Sequence, residues 1–152
     1  MLRIQHRREI PAASLVCTPE EAKWWEELRT AGNTLRATRG KKEKQRFMNL
    51  LQEGQEKGLQ PPVADMKEVT LLMTEPTYNE NARSRRINGT VILEAEFRAD
   101  GFVGEVKIVR GLGFGLDENA AEAARKTVFL PAVRDKRFVS FRLHMEMSFN
   151  LY

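Results

Sequence analysis

The sequence predicts an α+β fold: a small antiparallel sheet of three main strands, a β-hairpin plus a long C-terminal strand, with two short helices on one face and a helical N-terminal segment ahead of it. Three observations carry that expectation. Val91, Leu93, Ala95 and Phe97 alternate with Thr90, Ile92, Glu94, Glu96 and Arg98, the two-residue period of a half-buried strand. Phe141, Leu143, Met145, Met147, Phe149 and Leu151 alternate in the same way with Arg142, His144, Glu146, Ser148 and Asn150. Two shorter stretches, 77–86 and 116–129, carry helical signals, and an isolated hairpin in water needs such a cover.

In chain order, residues 1–17 show no clear period. Ile10 to Cys17 is apolar behind Arg7 and Arg8, but it is short and holds Pro11, so it reads as an extended leader and not as an export signal. Thr18-Pro19-Glu20-Glu21 opens a helix, with Thr18 as N-cap, Pro19 in the first turn and Glu21 completing a capping box. Trp24, Leu28, Ala31 and Leu35 form its apolar stripe, with Trp25 beside them, and Gly32-Asn33 and Gly40 weaken it. Arg36, Arg39, Lys41, Lys42, Lys44 and Arg46 make the next stretch basic, and Phe47, Leu50 and Leu51 restore an apolar face that ends at Gly54 or Gly58. Two helices packed as a hairpin, or one long bent helix, both fit. Gln60-Pro61-Pro62 marks a boundary, dividing a leader and helical segment (1–62) from a second unit (63–152).

Val69 to Met73 fits a short strand, stopped by Glu75-Pro76. Thr77 to Arg86 reads as a short helix with Thr77 and Glu80 as capping pair, and Tyr78, Ala82 and Ile87 toward the core. The first long strand turns at Asp100-Gly101 into a second through Val103, Val106, Ile108 and Val109, whose apolar phase slips around Gly104 and predicts a bulge. A helix from about Leu116 to Phe129 follows, acidic at its start and basic at its end, with an inner face of Ala120, Ala123 or Ala124, and Val128; Pro131 ends it.

A length of 152 residues and 41% apolar content allow one domain with a real core. No apolar run approaches the roughly 20 residues of a membrane helix. Cys17 is the single cysteine, which excludes an internal disulfide and a multi-cysteine metal site. Residues 1–62 hold 12 Lys/Arg against 8 Asp/Glu, and residues 63–152 hold 13 against 13. The hairpin half is therefore neutral, which argues against a nucleic-acid footprint there.

The chemistry-bearing patterns have plain readings. Gly111-x-Gly113-x-Gly115 follows an antiparallel strand and lacks a Lys-Ser/Thr, so it reads as a turn from sheet edge to sheet face and not as a phosphate loop. His6 and His144 stand apart, with no metal-ligand spacing around either. Glu94 and Glu96 share a strand face, with Glu105 across the hairpin, in an arrangement common on solvated sheets. Nothing supports an enzyme, and no cofactor or metal is implied. Arg83, Arg85, Arg86 and the basic 36–46 stretch read first as solvated helix faces. The informative feature is the last strand, which is long, regular and free of Pro and Gly. Left at a sheet edge, it invites another strand.

Pro76-Thr-Tyr78, Ala82, Asn88-Gly89-Thr90-Val91, Asp100-Gly101, Val103, Val106, Val109-Arg110, Gly115-Leu116-Asp117, Ala120, Ala123 and Phe129-Leu-Pro131-Ala132, together with the closing alternating strand, resemble the C-terminal domain of TonB over about residues 69–152. The resemblance implies a periplasmic protein of a Gram-negative envelope that takes part in energy-coupled transport. It implies binding the TonB box of outer-membrane receptors by strand addition, with ExbB and ExbD as partners where a membrane anchor is present. Carried onto this chain, the partner-binding residues are Pro76 and Tyr78, with Phe141, Arg142, Leu143, His144, Met145, Glu146, Met147, Ser148 and Phe149. The chain has Tyr78-Asn79 where that family usually has Tyr-Pro, and neither an anchor nor a Pro-rich spacer is visible in it. The alternative reading is a soluble scaffold that reuses the fold, in which the Trp24/Trp25 helix covers the sheet edge or forms a homodimer.

Overall fold

A computed structural model describes residues 9–151; His6 and the Arg7-Arg8 pair lie outside them. Helix α1 (Pro19–Thr38) begins as the sequence predicts. Thr18 Oγ1 accepts from Glu21 N at 3.1 Å, and Glu21 Oε1 accepts from Thr18 N at 3.1 Å. The helix runs unbroken through Gly32-Asn33, and the chain breaks instead at Arg39, in a left-handed conformation with φ 56°, and Gly40. Helix α2 (Lys41–Glu56) then packs against α1, so the hairpin alternative holds.

Strand β1 (Val69–Leu72) is followed by helix α3 (Glu80–Ser84), shorter than expected. Its N-cap is Asn79 and not Thr77: Asn79 Oδ1 accepts from Ala82 N at 2.7 Å. Strands β2 (Gly89–Phe97) and β3 (Val103–Arg110) form the predicted hairpin, turning through Gly101 at φ 93°. The register shifts between the Ala95–Val106 and Phe97–Val103 pairs, which is the bulge expected around Gly104. A second shift, at Val109, has no counterpart in the sequence pattern.

Helix α4 (Leu116–Arg125) stops one turn earlier than the sequence predicts, and Val128 to Phe129 are not helical. Instead, β4 (Val128–Leu130) pairs antiparallel with β1. A β-branched residue and an aromatic gain a ladder partner there that the helix end could not offer. A further hairpin, β5 (Ala132–Arg134) and β6 (Arg137–Val139), is absent from the sequence-based reading. It turns through Asp135 and Lys136, both with positive φ, without the glycine that usually marks such a turn. The last strand, β7 (Phe141–Phe149), ends before Leu151 and pairs with β2 over nine unshifted positions from Gly89–Phe149 to Phe97–Phe141.

The main sheet therefore has the order β3-β2-β7, with β2 central. Its inner face is one core: Val91, Leu93, Ala95 and Phe97 of β2 and Met145, Met147 and Phe149 of β7 meet Ala82, Leu116, Ala120, Ala123 and Ala124 of the two short helices. The alanines let α4 lie close to the sheet, and Phe129 of β4 fills the remaining space with its ring 4.3 Å from that of Phe97. A second core gathers Trp24, Trp25, Leu28, Leu35, Phe47 and Leu51 of the helical pair with Ile10, Val63, Val69, Leu71, Val128, Leu130 and Val133. The helical segment thus shares its core with strands from beyond Pro62.

Candidate functional site: the free edge of the last strand

The sheet has two outer edges, and they differ. β3 is bulged twice and exposes Glu105, Lys107 and Arg110, features that discourage further pairing. β7 is regular over its whole length, and among the described residues no strand pairs with its other side. A groove of about 770 Å³ lies beside the first half of this strand, at Phe141 and at Leu143 to Glu146.

One wall of that groove is β7, through Phe141, Leu143 and Met145, with His144 and Glu146 also lining it. The opposite wall is the small hairpin, through Ala132, Val133 and Arg134 of β5 and Val139 of β6. Met66, Met73 and Phe97 complete the apolar lining, and Lys67, Glu68 and Thr70 add polar groups. A second hollow of about 500 Å³ lies at the far end of β7. There Pro76, Tyr78 and Arg83 meet Ser148, Phe149, Asn150 and Leu151. The Tyr78 ring stands edge-on to Phe149 with centroids 5.5 Å apart, its hydroxyl donates to the Ile87 carbonyl, and the Arg83 guanidinium lies over it at 5.3 Å.

The residues singled out from sequence therefore divide. Phe141, Leu143, His144, Met145 and Glu146 line the groove; Pro76, Tyr78, Ser148 and Phe149 meet in the second hollow. Met147 is fully buried in the sheet core and lines neither. Arg142 points to the outer sheet face, where it lies 3.7 Å from Glu94 and 3.5 Å from Glu105. Met66, Met73, Val133, Arg134 and Val139 were missed. For Val133, Arg134 and Val139 the one sequence signal is the apolar–charged pattern of 132–139, which short strands without a glycine turn hide.

Acid–base chemistry gains nothing from the outer face. Glu105 is held below the usual carboxylate range, first by Lys107 at 3.2 Å and then by Arg142, which is opposite to what a general acid needs. The glycine loop is occupied by the chain's own carboxylate: Asp117 Oδ1 accepts from Leu112 N at 2.8 Å and from Gly113 N at 3.3 Å. These amides are already paired with a negative charge, so the turn reading holds. In the basic stretch, Arg39 donates to the Met73 carbonyl at 2.7 Å and Arg36 to that of Thr70 at 3.4 Å, so both tie α1 to β1. Trp24 and Trp25 are buried in the core of the helical pair, and neither lines the groove beside β7.

Fold and edge together define a class: a small α+β domain whose sheet ends in a strand with one free side, beside a groove of mixed apolar and polar lining. The family model described as Gram-negative bacterial TonB protein C-terminal matches residues 74–151, about half of the chain, and the chain belongs to that family. It is 31% identical over 93 residues to Protein TonB of Vibrio cholerae serotype O1, covering 60% of this chain and 38% of that protein's length. The solution NMR structure of the Pseudomonas aeruginosa TonB C-terminal domain aligns with 22% identity and a TM-score of 0.48, over 56% of this chain and 87% of that one.

Proposed function

We propose that this protein is a recognition module of the bacterial envelope that captures an extended segment of an outer-membrane receptor, the TonB box, by adding it as a strand to the free edge of β7. The observation that carries this reading is the contrast between the two edges: β3 is bulged twice, while β7 runs without a register shift over nine positions against β2 and has no strand on its other side among the described residues, beside a groove lined by both apolar and polar side chains. Residues 63–152 supply the recognition surface. Family membership supports a periplasmic placement, and ExbB and ExbD belong to the proposal only where the domain is joined to a membrane-spanning segment. No described helix is long and apolar enough to cross a membrane.

Magnitudes set the character of the complex. Four to six backbone hydrogen bonds contribute about 0.5–1.5 kcal/mol each, against an association cost of roughly 4–15 kcal/mol. Backbone pairing alone barely holds, so side chains entering the groove must contribute. The complex is weak and reversible. A pull-down from detergent-solubilised envelope with the full chain as bait tests this, followed by titration of the matching TonB-box peptide. Enrichment of outer-membrane receptors supports docking; recovery of none, or a sub-nanomolar peptide complex, contradicts it.

A further inference from the structure

The groove lies at the seam of the two cores. β7 and Phe97 belong to the sheet core, while Val133 of the opposite wall belongs to the core of the helical pair. The β5–β6 hairpin has no ladder to the main sheet. Its attachments run the other way. Val133 exchanges backbone hydrogen bonds with Met66, both at 2.8 Å, and Phe138 stands edge-on to Trp24 with centroids 6.3 Å apart. Trp24 is itself fixed, donating from Nε1 to the Leu50 carbonyl of α2 at 2.8 Å. At its other end α1 reaches the groove again, where Arg39 and Arg36 hold the carbonyls of Met73 and Thr70, two lining residues.

From this geometry we infer that the α1–α2 pair is a positioning element for recognition: it sets the β5–β6 hairpin as a second wall, so that a strand docked on β7 is gripped on both sides. The inference rests on the docking reading above and adds to it. An occupant would be an extended segment with large apolar side chains at alternate positions, facing Leu143 and Met145 on one side and Val133 and Val139 on the other. Dispersion contacts fall off steeply with separation, so a wall displaced by even a fraction of an ångström loses much of its grip. Phe138 is a positioning residue in this scheme, acting through the hairpin.

The test uses the full chain and a fluorescein-labelled synthetic TonB-box peptide from a receptor of the same bacterium. Phe138→Ala is expected to weaken binding about tenfold, mainly through faster dissociation, with Phe138→Leu restoring most of it. Thermal unfolding of each variant shows that it is folded. Hydrogen exchange on the unaltered protein is independent of any variant: the peptide should slow exchange over 132–139 as well as 141–149. If the unaltered chain binds but Phe138→Ala binds within about twofold, or protection stops at 141–149, the second wall is overturned while docking stands. If the unaltered chain binds no such peptide, the docking reading fails and takes this inference with it.

Discussion

The indole of Trp24 lies directly on the backbone of Gly54, where a Cβ would overlap its ring atoms. That contact brings α1 and α2 together at the point where Trp24 also donates to Leu50 and supports Phe138. Gly54→Ala tests it. The substitution gains about 1 kcal/mol of helix propensity, but overpacking against a rigid buried ring typically costs about 1–3 kcal/mol. A net loss of up to about 2 kcal/mol is expected in denaturant unfolding, and a gain would show that the two helices separate easily.

Phe149 ends the inward stripe of β7, is buried, and packs on Tyr78. Phe149→Ala should cost about 3–5 kcal/mol of stability. A loss under about 1 kcal/mol would mean that the strand's inward phase is misassigned.

Along an edge strand, successive N–H groups point alternately to the paired neighbour and to the free side. Leu143→Pro and His144→Pro therefore separate two roles. One should remove a ladder bond to β2 and lower the unfolding midpoint markedly. The other should leave the midpoint closer to that of the unaltered chain and reduce peptide affinity at least tenfold. Equal peptide binding by a folded variant of each would place docking elsewhere.

Glu21 couples the start of α1 to the chain entering the second unit: its carboxylate accepts from Gln60 N at 2.7 Å and from Thr18 N at 3.1 Å. These hydrogen bonds, that to Gln60 first, hold its pKa below the ordinary value near 4.5. A depressed carboxyl stabilises the fold above its unfolded pKa and loses that effect as pH falls through its folded value. Glu21→Gln should thus be less stable than the unaltered protein at pH 7, with the gap closing in acid below the ordinary carboxyl value. A gap independent of pH would contradict the assignment.

Local chemistry is what made much of this fold readable. The Thr18–Glu21 capping box, the Asp100-Gly101 turn, the Gly104 bulge and the alternation of β2 and β7 each depend on neighbours a few residues away, and each appears as the sequence predicts. Where local signals competed, the sequence-based reading failed. Thr77 and Asn79 are both capping residues, and Asn79 caps α3. Val128 to Leu130 could extend α4 by pattern, but a partner strand some 60 residues earlier draws them into pairing. Asp135-Lys136 turns a hairpin without the usual glycine.

By itself, then, the sequence determined which segments alternate, which ends are capped, and that the last strand is regular enough to accept a partner. Periodicity is local, and a strand's two faces follow from its own side chains. Only the tertiary structure decided that β7 lies at an edge with β2 at the centre, that the β5–β6 hairpin lines a groove beside it, and that Trp24 packs on Phe138 of that hairpin and lines no part of the groove. Those outcomes depend on which distant surfaces meet, and contacts between residues far apart in the chain leave no period in the sequence.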